Sequence, residues 1–468
     1  MATNTSLANL KAIVIGAGFG GLSSAIELAR RSASVRVFES VPDMSRQGMD
    51  QATLDCDVIQ IGANATRLMK PWGNVLEQVT KISSMPKIMS ILDQNGKVWL
   101  DQDLHTEFDG YPNAYGKRGA IQRALYDHAI ALGVEVNFNA PVVDIFEDEK
   151  SAGVVLKGGS RHEADLVIAA DGVRGQSRKH VVGVADRPQK SGFAVFRSWF
   201  SLDNLLDDPL TASIAQSKEP LFKIWIGDNV HAILTTNTAV RGVTCFVTHK
   251  DVSDISEDWN NPGDPDEMLS YVQGWDPVLL AIIKHVPRDC LIDYKLLWRD
   301  PVRKWVSDNG RVCLVGDSSH PHLATSGTGA AQALEDAATI GTLLEKMGDD
   351  RDIPLAFRAF EKLRYERTSL TQRMGWETRH VWHQTDWEAV SKNPDSIRLP
   401  QPRWLLGSDA SEYAAEQFDA VISHLKYGTP FASENIPEGH VHQDWNMETM
   451  LEFEDKKAND AFYQSRGE

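Results

Sequence analysis

The chain has 468 residues, 42% of them hydrophobic, and a formal net charge of −17. That length exceeds one ordinary core, so two interlocked domains and a tail are expected, while the charge, unrelieved by any dense Lys/Arg block, disfavours nucleic acid and anionic lipid as partners. Apolar runs are broken by Gly, Asp or Arg before they could span a bilayer, and the polar start Met1–Asn9 is no secretory leader, which points to a cytoplasmic protein and not an integral membrane one. Cys56, Cys245, Cys290 and Cys313 are widely spaced without a Cys-x-x-Cys pair, so neither a thiol redox motif nor a zinc site is suggested.

Lys11 to Ile15 is a β-branched strand, Gly20 to Arg31 a helix, and Ser34 to Phe38 a second strand. Between the first two lies Gly16-Ala17-Gly18-Phe19-Gly20-Gly21, a G-x-G-x-x-G pattern in the strand-to-helix context that its chemistry requires. Gly16 permits the tight turn, Gly18 lets backbone amides approach a pyrophosphate at the helix N-terminus, and Gly21 allows close helix packing. Glu39 ends the second strand, where a carboxylate can accept both ribose hydroxyls of an adenosine and would repel a 2′-phosphate, so FAD or NAD fits better than NADP there.

Farther on, Ala120 to Leu132 is a helix and Val134 to Phe138 a strand; Val142 to Phe146 and Gly153 to Leu156 pair around an acidic turn, and Asp165 to Ala170 is a buried strand. The acidic cluster Asp144, Glu147, Asp148 and Glu149 reads as that solvated turn. From Val184 to Trp298 the segments Phe193–Phe200, Phe222–Ile226, His231–Thr235 and Thr244–Thr248 are strand-like, the texture of a mostly antiparallel sheet. A buried strand returns at Arg311 to Val315, followed by helices at Gly329–Lys346 and Leu355–His383; from Asp386 the chain has no clear period.

Two buried strands end in Ala169-Ala170-Asp171-Gly172-Val173-Arg174-Gly175-Gln176-Ser177-Arg178 and Val315-Gly316-Asp317-Ser318-Ser319-His320-Pro321. Asp171 is compatible with a simple strand-ending turn. Asp317, after a strand and a glycine, can accept polyol hydroxyls, Arg118 ahead of a helix can pair with a phosphate, and Gly327, Gly329 and Ala330 offer amides at a helix start. These motifs resemble the Asp-Gly and Gly-Asp fingerprints of flavin-dependent aromatic hydroxylases. Together with the turn and helix Gly327–Ala337, and with Trp404–Asp409 in the tail, they make the chain similar to single-component (class A) FAD-dependent monooxygenases. The nearest branch is the salicylate-hydroxylase-like one that includes fungal indole-alkaloid monooxygenases. The resemblance covers roughly Lys11 to Asp409 and is weakest in the substrate domain. Departures are Ala324 where many relatives carry proline, Ser326 where they often carry Gln, and a longer stretch from Glu39 to Asn64 containing Arg46-Gln47-Gly48 and Cys56-Asp57-Val58 at the mobile-flavin loop.

The resemblance implies an α/β fold: a Rossmann-like FAD-binding domain (10–80, 105–183 and 299–385), an interleaved, mostly antiparallel β-sheet substrate domain (81–104 and 184–298), and a C-terminal helical extension (386–468). It implies FAD as cofactor, with Asp317 at the ribityl chain, Arg118 at the pyrophosphate, Asp171 in the cofactor site and the Gly327–Ala330 turn beside the isoalloxazine. NADPH or NADH reduces the flavin and O2 then gives a C4a-hydroperoxide, an electrophilic oxygen donor. The expected partner is an electron-rich aromatic or indole small molecule; the expected assembly is a monomer or homodimer. A flavin dehydrogenase or halogenase on the same cofactor domain, a salicylate-type phenol hydroxylase and a non-catalytic flavin-binding protein are the competing readings.

On the strand Phe193–Phe200, period-two geometry puts Arg197 opposite Phe196 and Ser198, making it the candidate pocket and catalytic residue against the alternative of a solvated surface group. Trp225 and Phe222 are candidates for lining the same cavity or for plain core. His231 is the one strand-borne base in view for deprotonating a phenol, whereas an indole needs no deprotonation, which tilts the expectation toward indole. His380 with His383, and His320 with His322, lack an acidic third ligand at metal-site spacing, so no metal is expected. No nucleophile elbow supports a hydrolase.

Overall fold

Because Lys11–Ile15 is apolar on both sides of its pleat, it can only be stable inside a sheet covered on both faces. In the computed structural model, which describes residues 5–44, 57–183, 189–251, 261–348 and 351–455, it is the centre of a five-stranded sheet ordered Glu135–Asn137, Ser34–Phe38, Lys11–Ile15, Leu166–Ala169 and Val312–Leu314. All four pairings are parallel, with Ile15 beside Phe38 and Ala169, and Ala169 beside Leu314. Equal polarity and matched register bring the strands' carboxyl ends to one edge. Gly16, Glu39, Ala170 and Val315 therefore leave the sheet side by side, although up to three hundred residues separate them in sequence. The helix Phe19–Ala29 packs against both Arg118–Ala131 and Gly329–Lys346.

The second sheet has seven strands, ordered Leu291–Trp298, Gln189–Ser201, Gly242–Lys250, Val230–Asn237, Phe222–Gly227, Ile88–Asp93 and Val98–Asp103. Every pairing is antiparallel except that of Phe222–Gly227 with Ile88–Asp93. One face carries Phe196, Phe200 and Trp225 into a cluster with Leu279, Ile282 and Ile283 of the helix Pro277–Lys284. The other face carries Phe193, Val195 and Tyr294 into a cluster with Leu323, Trp376 and Trp445. The alternation expected along Phe193–Phe200 is thus realised. Trp225 lies on the Phe196 side, its indole N–H donating to Asp276 at 2.9 Å, so it is core on the face away from Arg197; Phe222 packs edge-on against Tyr115.

A third sheet pairs Val142–Glu147 with Ala152–Leu156 as expected and adds Arg161–Ala164, whose polar sequence Arg-His-Glu-Ala hides its strand character. The acidic cluster is only in part a solvated turn. Asp148 does close the turn, accepting from Lys150 N and Ser151 N, but the Glu147 side chain is only 6% exposed and accepts from Ser307 Oγ at 2.6 Å and Arg311 N at 3.2 Å. It ties this sheet to the returning strand instead of facing water. Beyond Asp386, local caps such as Asp386 and Asp409, each accepting from two following amides, start short helices at Trp387–Lys392 and Ala410–Glu416, followed by Phe418–Tyr427 and Met447–Asp455.

The helix Ile353–His383 joins these parts through a buried charge network. Arg364 donates to Asp336 Oδ1 at 2.9 Å, to Glu335 and to Gln332; Arg367 grips both oxygens of Glu335 at 2.8 Å. Arg367 also donates to the carbonyls of Trp404, Leu405 and Asn435. All four charged side chains are at most 1% exposed. Burial opposes ionisation of Glu335, but Arg367 and Arg364 outweigh it and hold the carboxyl at about 2. Removing one member leaves an uncompensated buried charge. Arg367→Ala is therefore expected to lower unfolding free energy by about 3–5 kcal/mol in denaturant titrations; a loss under 1 kcal/mol would contradict the role given to it.

On the Phe196 face, burial, with Glu267 and Asp251 close by and only Lys295 opposing, pushes Asp293 up to about 6. The folded chain then holds a proton that the unfolded chain releases near 4, so stability falls as pH rises from about 4 to 6. Asp293→Asn removes that loss. Relative to the parent, the variant should gain about 2 kcal/mol more at pH 8 than at pH 4; a pH-independent difference in thermal or denaturant unfolding would disprove it.

Candidate active site

The glycine-rich turn is built by close backbone approach. Gly16 sits at φ +92°, and a Cβ there would lie 2.5 Å from Ala170 O; at Gly21 it would lie 1.9 Å from Gly16 O. At Gly18, which caps the helix Phe19–Ala29, a Cβ would meet nothing within 4 Å, so the amide end of that helix is open to an anionic group. Glu39 is buried; Oε2 accepts from Ala17 N at 2.7 Å and Oε1 from Val41 N and Ser40 Oγ. Its carboxylate both holds the turn and keeps acceptor capacity for a ribose. Gln122, given no role in the sequence reading, is fully buried and donates to Ala17 O at 2.7 Å; its spacing of four from Arg118 on one helix was the available signal. Arg118 opens the helix Arg118–Ala131, its guanidinium 5.9 Å from the Phe19 ring, beside the same turn.

The two aspartate motifs differ in use. Asp171 Oδ2 accepts from Ser177 N and Oγ at 2.9 and 2.8 Å, and a Cβ on Gly175 would lie 2.2 Å from its carboxyl, so it closes the Asp171–Ser177 turn; Oδ1 is buried without a partner. Arg178, quoted in the motif but assigned nothing, is buried and donates to the carbonyls of Ser318, Ser319 and Asp300, locking the two motifs together. Asp317 is the exposed residue in the otherwise buried run Val312–His320. Desolvation nonetheless raises its pKa against the pull of His320 and Arg118. Its carboxyl is thus reached by solvent and yet desolvated by the protein around it. Asp336 Oδ2 braces the Gly316–His320 turn, accepting from Gly316 N at 2.9 Å and meeting His320 Nε2 at 2.6 Å.

Gly327 has φ +62°, and a Cβ there would press on Gln60 Oε1 at 2.7 Å; Gly329 and Ala330 start the helix Gly329–Lys346 and are partly exposed. Thr328 Oγ1, buried between them, has no partner. The open helix end at Gly18, the Asp317 carboxyl, the Arg118 side chain and the Gly327–Ala330 amides fit the pyrophosphate and polyol groups of FAD. Arg46-Gln47-Gly48 and Cys56 lie outside the described residues.

Arg197 is not a solvated surface group. It is 8% exposed and donates to Asp57 Oδ2 at 2.7 Å, its guanidinium 5.5 Å from the Tyr294 ring and 5.8 Å from that of Phe246. Asp57, which sequence reasoning missed as a partner, is placed by its carbonyl accepting from Arg118 N at 3.1 Å. The ion pair therefore spans from the cofactor turn to the Phe193–Val195 face of the large sheet. His231 Nδ1 lies 2.6 Å from His383 Nε2, and burial plus Arg379 lowers its pKa to about 3. Among the described residues no group of three or more His, Cys, Asp or Glu is placed to hold a metal ion, and no helix is long and apolar enough to cross a membrane.

Asp317→Ala and Glu39→Ala are each expected to weaken FAD binding by about 1–3 kcal/mol, read as the dissociation constant of the flavin from refilled apoprotein. Unchanged affinity in both variants would remove the assignment.

The family model described as FAD binding domain matches residues 9–351. The asperlicin C monooxygenase of Petromyces alliaceus is 32% identical over 452 residues, covering 94% of each chain. Crystal structures of FqzB and of CtdE with FAD and a substrate superpose with TM-scores of 0.83 and 0.81 at 31% and 26% identity, covering 93% and 89% of this chain and 99% and 100% of theirs. These similarities assign the fold and the cofactor: the chain belongs to the family of FAD-dependent monooxygenases.

Proposed function

We propose that the protein takes electrons from NADPH or NADH and places one oxygen atom of O2 on a neutral, electron-rich fused aromatic of the indole type, as a step in fungal secondary metabolism. The buried Arg197–Asp57 pair carries this reading. Similarity to a monooxygenase named for asperlicin C, and to CtdE solved with FAD and a substrate, supports a small organic substrate.

FAD, when bound, supplies the activation of O2. The chain's own part is to orient the ring and manage charge. The Arg197 guanidinium, held by Asp57 and flanked by Tyr294 and Phe246, can donate toward the oxygen that gains negative charge as a C–O bond of a C2–C3 epoxide breaks. Asp57 already balances this cation, so an anionic substrate such as salicylate gains little from it. A phenol would also need a base, and His231, at about 3 and engaged with His383, is a poor acceptor for a phenolic proton near neutrality. An indole asks for no such base.

The test compares indole with salicylate as stimulators of NAD(P)H oxidation in the FAD-loaded enzyme. Indole should stimulate and acquire oxygen, and Arg197→Ala should lower coupled turnover by about 10²-fold, with Arg197→Lys intermediate. Asp57→Asn should lower kcat more than it raises KM. Efficient turnover of salicylate with an inert indole would overturn the substrate reading; full activity of both Arg197 variants would remove Arg197 alone.

A further inference from the structure

Helix interiors disfavour glycine relative to alanine, so Gly375, buried inside the helix Ile353–His383, needs a local reason. The turn before Gly327 supplies it. A Cβ on Gly375 would lie 2.8 Å from Ser326 Cβ, 3.1 Å from Ser326 N and 3.2 Å from Ser326 Cα. No rotation of a side chain moves any of those three atoms, and the shortest contact is about 1 Å below the optimal carbon–carbon separation. Thr325 Oγ1 donates to Gly375 O at 2.6 Å, so the bare helix position holds the turn as well as admitting it. Ala324 and Ser326, the two positions at which this turn departs from its relatives, bound the short helix Ala324–Ser326 that occupies the seat.

The long helix is the fixed partner in this contact. On one side of Gly375, Arg364 and Arg367 bind it into the buried charge network, Thr371 Oγ1 lies 2.9 Å from His322 Nε2, and Gln372 Nε2 donates to Pro321 O at 2.8 Å. On the other, Trp376 is fully buried in the cluster of Phe193, Val195 and Tyr294, on the sheet face that carries Arg197. A helix held on both sides cannot retreat from an added methyl, so the turn must give way. Thr328 N donates to Ser326 Oγ at 3.3 Å, and Gly329 and Ala330 follow at the start of the helix Gly329–Lys346. A displacement of Ser326 therefore reaches the amide run directly.

Those amides carry the positive end of a helix dipole. A flavin ring gains negative charge on reduction, so their placement weighs on the reduced form more than on the oxidised one. We propose that Gly375 is a positioning residue for the flavin: by seating Ser326 it sets where the Gly327–Ala330 amides stand against the bound ring, and so how far they favour its reduced state. This rests on the reading that puts that turn beside the isoalloxazine.

The test is the two-electron midpoint potential of the full-length FAD-loaded protein, measured anaerobically against a reference dye. Gly375→Ala should weaken the binding of reduced FAD about tenfold relative to oxidised FAD, which is a fall of about 30 mV. Adding Ser326→Gly to Gly375→Ala removes the 2.8 Å contact and should restore most of the parent potential, while Ser326→Gly alone should stay close to the parent. If Gly375→Ala does not fold, Thr325→Val, which deletes the bond to Gly375 O at nearly equal volume, should shift the potential in the same direction. Gly327→Ala, which strains the turn itself at φ +62°, is the control. An unchanged or raised potential in Gly375→Ala beside a shifted one in Gly327→Ala overturns the role of Gly375 and leaves the turn assignment standing. Parent-like potentials in both variants overturn the two together. A fall in Gly375→Ala that Ser326→Gly does not reverse overturns the seat as well.

Discussion

Two adjacent acids on one helix, Glu335 and Asp336, are held by two arginines one helical turn apart on another, Arg364 and Arg367. Four charges removed from water are stable only when their geometry and hydrogen bonds are complete, so the groups they touch have little freedom. Several of those groups adjoin the candidate cofactor residues. Asp336 takes Gly316 N and His320, Glu335 takes Asn64, and Arg367 takes three carbonyls from the tail. The network connects the Gly316–His320 turn, the helix behind the Gly327 turn and the C-terminal segment in one set of bonds. It adds polar bonds to the apolar packing that already seats tail residues such as Val421, Trp445 and Leu405 on the body.

Around that anchor the site follows from sheet polarity. Parallel strands in register deliver Gly16, Glu39, Asp171 and Asp317 to one edge, and Arg178 bonds two of the motifs directly. The large sheet then turns one face toward the turn that precedes the helix Gly329–Lys346. Leu323 and Trp376 share a cluster with Phe193 and Val195, and a Cβ on Gly375 would press on Ser326 at 2.8 Å. Arg197 stands on that face, and Asp57 reaches it from beside Arg118.

What the sequence revealed depended on the range of the signal. Gly16, Gly18 and Gly21 were legible because a tight turn imposes glycine locally, and the strands around them because both faces are apolar. Arg197 was legible as a face but not as an environment: alternation tells which way a side chain points, not that Asp57, 140 residues away, meets it. Asp57 itself carried no pattern at all. Glu147 was misread because an acid in a turn and an acid buried against Ser307 look the same in one dimension. Arg161–Ala164 was missed because the strand takes its stability from pairing with Ala152–Val155, not from its own composition.

The proposed function has these residues position a neutral ring for oxygen insertion, not for dehydrogenation or halogenation. Its most direct test is turnover of indole, or of any neutral aromatic that stimulates NAD(P)H oxidation, under 18O2, with mass analysis of the product. Incorporation of one labelled atom per product molecule is the predicted result. A product oxidised without label, or consumption of coenzyme that yields only labelled peroxide from every aromatic offered, would contradict it.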